Sequence, residues 1–417
     1  MNKLKSINTI RMFIGISILL YGCSHQAHQL PGAMSATEPL PDCQFTPANS
    51  VHCGRTPTTT IDNNGRLWSA YVVGEHVYMS YSDDMGRRYS PPVKVNAEPE
   101  EIYTNGENRA KVAIGKNGEV YVSWTVVRDG PFFGDIRFSR SLDGGKNFEP
   151  VRTVNDDGLL TSHRFESMFV DSAGNIYLAW LDKRDLVASK NRGEEYNGAA
   201  LYYTVSSNNG RTFSRNLKVA DYSCECCRIA LSETADGNIA AFWRHIFGES
   251  TRDHGFAILS PTGVISFDGR ITDDDWEIEA CPHHGPSMVT GSDSTYHLTW
   301  FTLGEKRKGI FYGRYNYQSK EIDNLKTVAT TGSSHPYIAK TDGTLYLVWK
   351  QFDGEKTSIN MMVSRDDGEN WDESGSISST AGASDHPLLI SDNEQLYLSW
   401  HTEDEGLRLI NLNNSGR

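Results

Sequence analysis

Seven times along this chain one short pattern recurs: a turn, usually with glycine, then residues alternating in polarity, then a large aromatic. The copies are NNGRLWSAY ending at Tyr71, KNGEVYVSW at Trp124, SAGNIYLAW at Trp180, ADGNIAAFW at Trp243, SDSTYHLTW at Trp300, TDGTLYLVW at Trp349 and DNEQLYLSW at Trp400. Successive copies end between 49 (300 to 349) and 63 (180 to 243) residues apart. Alternation with period two after a turn is a strand signature, and no long stretch carries a helical period. A unit of this length cannot bury its own apolar face and must stack on its neighbours. With roughly four short strands per unit, the packing solution is a β-propeller. The reading is all-β: one propeller over residues 43–417, of seven four-stranded antiparallel blades, with six blades as the alternative. The last unit runs out after a third strand, LRLINL at 407–412, so a strand from about residues 44–52 is expected to supply the fourth and close the ring. The aromatic column from Tyr71 to Trp400 is expected to pack between blades.

A second motif follows in four units: SDDMGRRY at 82–89, SLDGGKNF at 141–148, SRDDGENW at 364–371, and SSNNGRTF at 206–213 with Asn208 replacing the acid. Ser, Asp and Gly fold such a segment into a self-bonded turn, and the trailing aromatic anchors it. The motif resembles the Asp-box, or BNR, repeat of the sialidase superfamily. That resemblance implies an architecture, since the boxes are structural and some carriers are not enzymes. Sialidases proper have six blades, so a count of seven departs from them. Antiparallel strand order puts the box turns on one face. The starts of the first strands and the loops between second and third strands lie on the other, where a site belongs.

The residues that begin each first strand are unusual. They are Arg55 in GRTP, Arg109 in ENRAK, Arg164 in SHRFE, Arg228 in CCRIA, His283 and His284 in CPHHGP, His335 in SHPY and His386 in DHPL. Four Arg and several His around one mouth suit a carboxylate, phosphate or sulfate, which guanidinium binds through a planar fork. The competing reading pairs them with Glu166 or Asp385 as channel plugs. GRTP resembles the Arg-containing motif that opens sialidase domains. The resemblance makes Arg55 part of a carboxylate-holding triad; Arg109, Arg164 and Arg228 are candidate partners by location only, and His335 and His386 are ligand-binding candidates by their place in the same ring. The sialidase acid/base Asp has no counterpart, because the loop at residues 72–76 holds none, and no Tyr/Glu nucleophile pair is assignable. Asp129, Asp185 and Asp253, on later loops of the same face, are the candidate catalytic acids for glycoside hydrolysis by another pair. Binding without catalysis fits the same residues, and a non-catalytic platform that binds other proteins on one face is a further alternative.

SCECCR supplies Cys224, Cys226 and Cys227; CPHHGP supplies Cys281, His283 and His284. They begin the first strands of adjacent units, so they should be neighbours, with His245 and His254 on loops of the same face. Thiolates with imidazoles bind copper or zinc. The alternatives are a pair of disulfides, which an oxidising compartment favours, or a mixture. The CxCC and CPxxGP pair is similar to that of uncharacterised sialidase-like BNR-repeat lipoproteins. Asp273, Asp274 and Asp275 are a candidate calcium turn or a solvated one, and residues 186–197 read as a long polar loop.

The amino terminus sets the compartment. Lys3, Lys5 and Arg11 flank an apolar run at residues 12–21 that is too short to span a bilayer. It ends in Leu20-Tyr21-Gly22-Cys23, which resembles a bacterial lipobox. The resemblance implies that residues 1–22 are a signal peptide, that Cys23 is lipidated and that Ser24 directs the protein to the outer membrane. Residues 23–42 read as a flexible tether, and Cys43 with Cys53 as a disulfide. Losing the three leader cations takes the net charge from −13 to −16. A chain so acidic does not grip nucleic acid, and its contact with membrane is expected through the lipid alone. The expected partner is an anionic small molecule or glycan, and the expected state a monomer.

Overall fold

The structure, a computed structural model, describes residue 46 and residues 50–392 and 394–413. The signal peptide, Cys23, the tether and Cys43 lie outside the described residues. Cys53 is disulfide-bonded, with its partner also outside them. Among the described residues, twenty-seven strands form seven antiparallel sheets, six of four strands and one of three. Each sheet is one blade: residues 55–94, 111–153, 163–223, 230–270, 287–329, 333–380 and 388–411. The expected seven blades are found.

Seven separate apolar cores fill the gaps between neighbouring blades, and each holds one member of the aromatic column. Trp124 packs with Trp68, Val77 and Met79 of the preceding blade, Trp300 with Phe242 and Phe256, and Trp400 with Val348 and Met361. Tyr71 closes the ring in a core with Leu407 and Val51. The second strand therefore reads as a buried run, LWSAYVV or IYLAWLD, because both of its faces are covered by adjacent blades. Ring closure differs from expectation at residues 50–52. They form a short helix, Ser50–Cys53, rather than a fourth strand. The His52 carbonyl accepts from His401 Nε2 at 3.0 Å, and Thr59 donates to Ser399 at 2.8 Å across the first and last blades.

The four boxes share one geometry. The Ser hydroxyl accepts the glycine N–H four residues on, at 2.8 Å in Ser82–Gly86 and 2.9 Å in Ser141–Gly145, Ser206–Gly210 and Ser364–Gly368. Asn208 replaces Asp without loss, its Oδ1 accepting Thr212 N–H at 2.9 Å. Gly145 is required twice over: φ is +78°, and an added Cβ would lie 2.6 Å from the Trp68 ring.

Residues 186–197 are not one loop. Arg184–Arg192 is a helix with Asp185 in its first turn, Lys190 and Arg192 in its last, and Gly193 closing it in the left-handed region at φ 73°. Only Ser189 in it is buried, so no apolar period announces it. The Asp273–Asp275 turn is neutralised by Arg307, Lys306 and Arg270.

Candidate functional site

The blades place the starts of their inner strands around the axis, and there most of the cations meet acids. Arg109 is ion-paired with Asp385, two blades away, and donates to the Gly106 and Pro57 carbonyls. Arg228 donates to the Pro286 and Pro336 carbonyls at 2.9 and 2.7 Å and lies 3.5 Å from Glu107. Glu107 also accepts the backbone N–H of Arg228 at 2.7 Å and of Gly285 at 3.3 Å. Lys111 pairs with Glu166 at 3.4 Å. Burial of a charge is affordable only with a partner, so the ring closes on itself as an axial plug. Arg109 and Arg228, expected to face an anion, are engaged from within the protein. Arg55 is half-buried at the head of the first inner strand.

His284, His335 and His386 form a column inside this plug, with ring centroids 4.5 and 3.6 Å apart. Burial pushes all three below the usual imidazole range, His284 to about 3. Burial also lowers the Lys350 ammonium to about 8 and raises Glu107. Along the inner strands runs a cavity of 470 Å³ bordered by Arg109, Lys111, Arg228 and Glu107 with Ser167 and Tyr337.

Arg164 differs from its ring mates. It donates to Ser162 at 3.0 Å, and its guanidinium lies 5.2, 5.3 and 5.1 Å from the rings of Tyr103, Phe132 and Phe165. No acid pairs with it among the described residues. Phe132, 67% exposed, sits in the loop that also carries exposed Asp129. The other two candidate acids are engaged: Asp185 accepts from Tyr202 at 2.9 Å and from Lys218 at 3.3 Å, while fully buried Asp253 is paired with Arg270. The three acids do not share partners.

The cysteines converge. The outer strand Leu217–Ser223 of the third blade runs straight into Cys224, whose N–H donates to the Arg244 carbonyl at 3.0 Å. The turn that follows carries Cys226 and Cys227. The sulfurs of Cys224, Cys226 and Cys227 all lie within 4.8 Å of one another, as do donor atoms of Cys226, Cys281 and His283. Cys224, Cys226, Cys227 and Cys281 are all free thiols in this structure. Cys224 and Cys226 sulfurs are 3.7 Å apart. A disulfide would need about 2.05 Å. The edge of a tetrahedron with metal–sulfur bonds of about 2.3 Å is about 3.8 Å. The neighbouring histidines separate: His283 faces the sulfurs, whereas His284 joins the axial column and leaves the set expected for it. His245 and His254 are buried, neither within the sulfur groups.

Sequence reasoning missed Arg244. It is 1% exposed and donates only to carbonyls: Arg252 at 2.8 Å, His284 at 3.1 Å and Phe301 at 2.6 Å. No carboxylate pairs with it among the described residues, and its Nε has no partner. Cys224 is held well below the usual thiol range, chiefly by hydrogen bonds from Cys226 and Cys227, with the charges of Arg252 and Arg244 adding. Burial raises Cys227 to about 11 and pushes Cys226 up as well. A lone Arg on a strand reads as a surface residue in sequence; no local signal marks it as buried.

No family model and no curated protein matches the chain. Solved structures do. A PL25 ulvan lyase bound to -[GlcA(1-4)Rha3S]- is 12% identical, over 88% of this chain and 95% of that one, with a TM-score of 0.56. The NanB sialidase of Streptococcus pneumoniae is 12% identical, over 75% and 67%, at 0.46. The α-L-arabinofuranosidase Arb93A of Fusarium graminearum is 14% identical, over 75% and 97%, at 0.47. These structural neighbours are carbohydrate-active proteins, and at such identities the likeness is one of fold.

Proposed function

We propose that this propeller carries a soft-metal thiolate centre, built from Cys224, Cys226, Cys227 and Cys281 with His283, that binds copper(I) or zinc. The carrying observation is the 3.7 Å spacing of free sulfurs in a group whose other members lie within 4.8 Å. Thiolate-rich sets select these two ions among common divalent and monovalent metals. Buried Arg244, without a carboxylate, supplies the countercharge that several thiolates need. Export and lipid anchoring through Cys23 would hold the centre at the outer membrane. The test is metal analysis and thiol counting on protein purified without chelator. One soft metal ion per chain, lost in Cys226→Ser, is expected. Metal-free protein with all four cysteines oxidised overturns the proposal.

A second reading is favoured by Arg164. A guanidinium free of acid partners, framed by Tyr103, Phe132 and Phe165, suits an acidic saccharide, and Asp129, in the same loop as Phe132, is the candidate acid for it. The lyase of like fold is bound to a uronate-containing glycan. Calorimetry with uronate oligosaccharides tests this. Binding that Arg164→Ala abolishes supports it, and no binding by the unaltered protein removes it.

A further inference from the structure

The sulfur cluster is two groups of three that share one member. Cys224, Cys226 and Cys227 form one, and they are 2%, 1% and 2% exposed. Cys226, Cys281 and His283 form the other, and both Cys281 and His283 are exposed. The two groups stand on different supports. Cys224 is tied by its backbone to Arg244, and Ser223 before it bridges to His245. Cys281 and His283 sit on an irregular stretch ahead of the strand Ser287–Thr290, where His283 takes a φ of 52°. A purely structural thiolate site fills every coordination position with one fixed set of protein ligands. This one has a buried half and a half open to solvent, joined at Cys226.

Resting on the metal-centre reading above, we infer that the cluster is a relay that exchanges its ion with an external carrier: the exposed group of Cys281, His283 and Cys226 captures the ion, and Cys226 passes it to the buried group. The external carrier is a small thiol complex or another soft-metal-binding chain. The passage proceeds by ligand exchange without redox change. The bond from the ion to Cys226 Sγ persists throughout. Bonds to Cys281 Sγ and the His283 ring nitrogen break, and bonds to Cys224 and Cys227 Sγ form. Each thiol that becomes a ligand gives up its proton; the departing Cys281 thiolate takes one and solvent takes the other. Outward transfer is the same sequence reversed. Because the ion is never free of Cys226, it need not be rehydrated inside the propeller, where the desolvation cost of a bare ion would be prohibitive.

The test follows exchange with copper(I) supplied as its bicinchoninate complex, read as loss of the complex's colour on uptake and its return on adding excess bicinchoninate. The unaltered protein is expected to take up one equivalent. Cys281→Ser and His283→Ala are expected to hold one equivalent still, with uptake and release each about tenfold slower or more, a barrier increase of about 1.4 kcal/mol. Cys226→Ser is expected to hold none. Exchange in Cys281→Ser and His283→Ala at the unaltered rate overturns the relay, as does complete loss of the ion in Cys281→Ser, which makes Cys281 a ligand of a closed site. No uptake by the unaltered protein overturns the metal centre itself, and a circular dichroism melt confirms that each variant is folded.

Discussion

Removing the Asp385 carboxylate should destabilise the propeller through Arg109. The two side chains are 3% and 5% exposed, and their ion pair joins the seventh blade to the second. Asp385 Oδ1 also accepts the His386 N–H at 2.7 Å, so Asp385→Ala strands a buried cation and an amide together. Breaking such a pair from one side costs about 3–5 kcal/mol, most of it the desolvation of the charge left behind. A domain of about 360 residues has an unfolding entropy of about 0.8 kcal/mol per degree, so Tm should fall by about 4–7 °C. Asp385→Asn keeps an acceptor for both donors and loses only the charge, for about 2 kcal/mol or 2–3 °C. Replacing both residues with Leu and Met should recover most of the loss, because no charge is then buried. Differential scanning calorimetry at one protein concentration reads all three. A melt for Asp385→Ala within about 1 °C of the unaltered protein refutes the reasoning. Arg109 would then not depend on internal neutralisation, and an anion from outside would again be its natural partner.

Other expectations follow from single contacts. His163 is fully buried; burial alone would lower its pKa, but hydrogen bonds to Asp135 and Asp157 and the charge of Asp182 push it up to about 10 from 6.5. Its contribution is therefore complete below pH 6.5 and lost as pH rises toward 10, so Tm should decline over that window and His163→Asn should flatten the decline. In the second box, Ser141→Ala leaves the Gly145 N–H without its acceptor and should cost about 1 kcal/mol by denaturant melt. Asn208→Asp should change stability by less than about 0.5 kcal/mol, since the same backbone N–H is already bonded there. Trp300→Phe frees Asp274 from an indole N–H at 2.8 Å, whereas Trp124 Nε1 has no partner among the described residues. The Trp300 change should therefore cost about 1 kcal/mol more than Trp124→Phe, and equal losses would show the bond is idle.

What could be read in the sequence was whatever repeats. Seven turn-and-alternation units fix seven blades because each needs its neighbours' apolar surface, and the box motif carries its own hydrogen bonds. The short helices at 50–53 and 184–192 escaped because neither has an apolar stripe; one is settled by ring closure and the other by terminal charges and Gly193. In the centre, Arg109, Arg228, His335 and His386 lie around the axis because position along an inner strand sets distance from it. Their partners were not legible in the sequence. Arg109 meets Asp385 across 276 positions, and Arg228 meets Glu107 across 121, both fixed by the circle rather than by any local spacing.

The least legible step is the parting of His283 and His284. Adjacent residues on an irregular strand approach point to opposite sides, so a pair read as one ligand set becomes a member of each of two clusters. Their backbone still joins those clusters. The His283 carbonyl accepts from His335 of the axial column at 3.0 Å, and the His284 carbonyl accepts from Arg244, the cation beside the sulfurs, at 3.1 Å. In the relay proposed above, movement of Cys281 and His283 would be resisted by one bond to the axial column, through His335, and one to Arg244. Those two bonds would hold the exposed group near Cys226 during the exchange proposed above, so that the axial column would take part through the His335 bond alone.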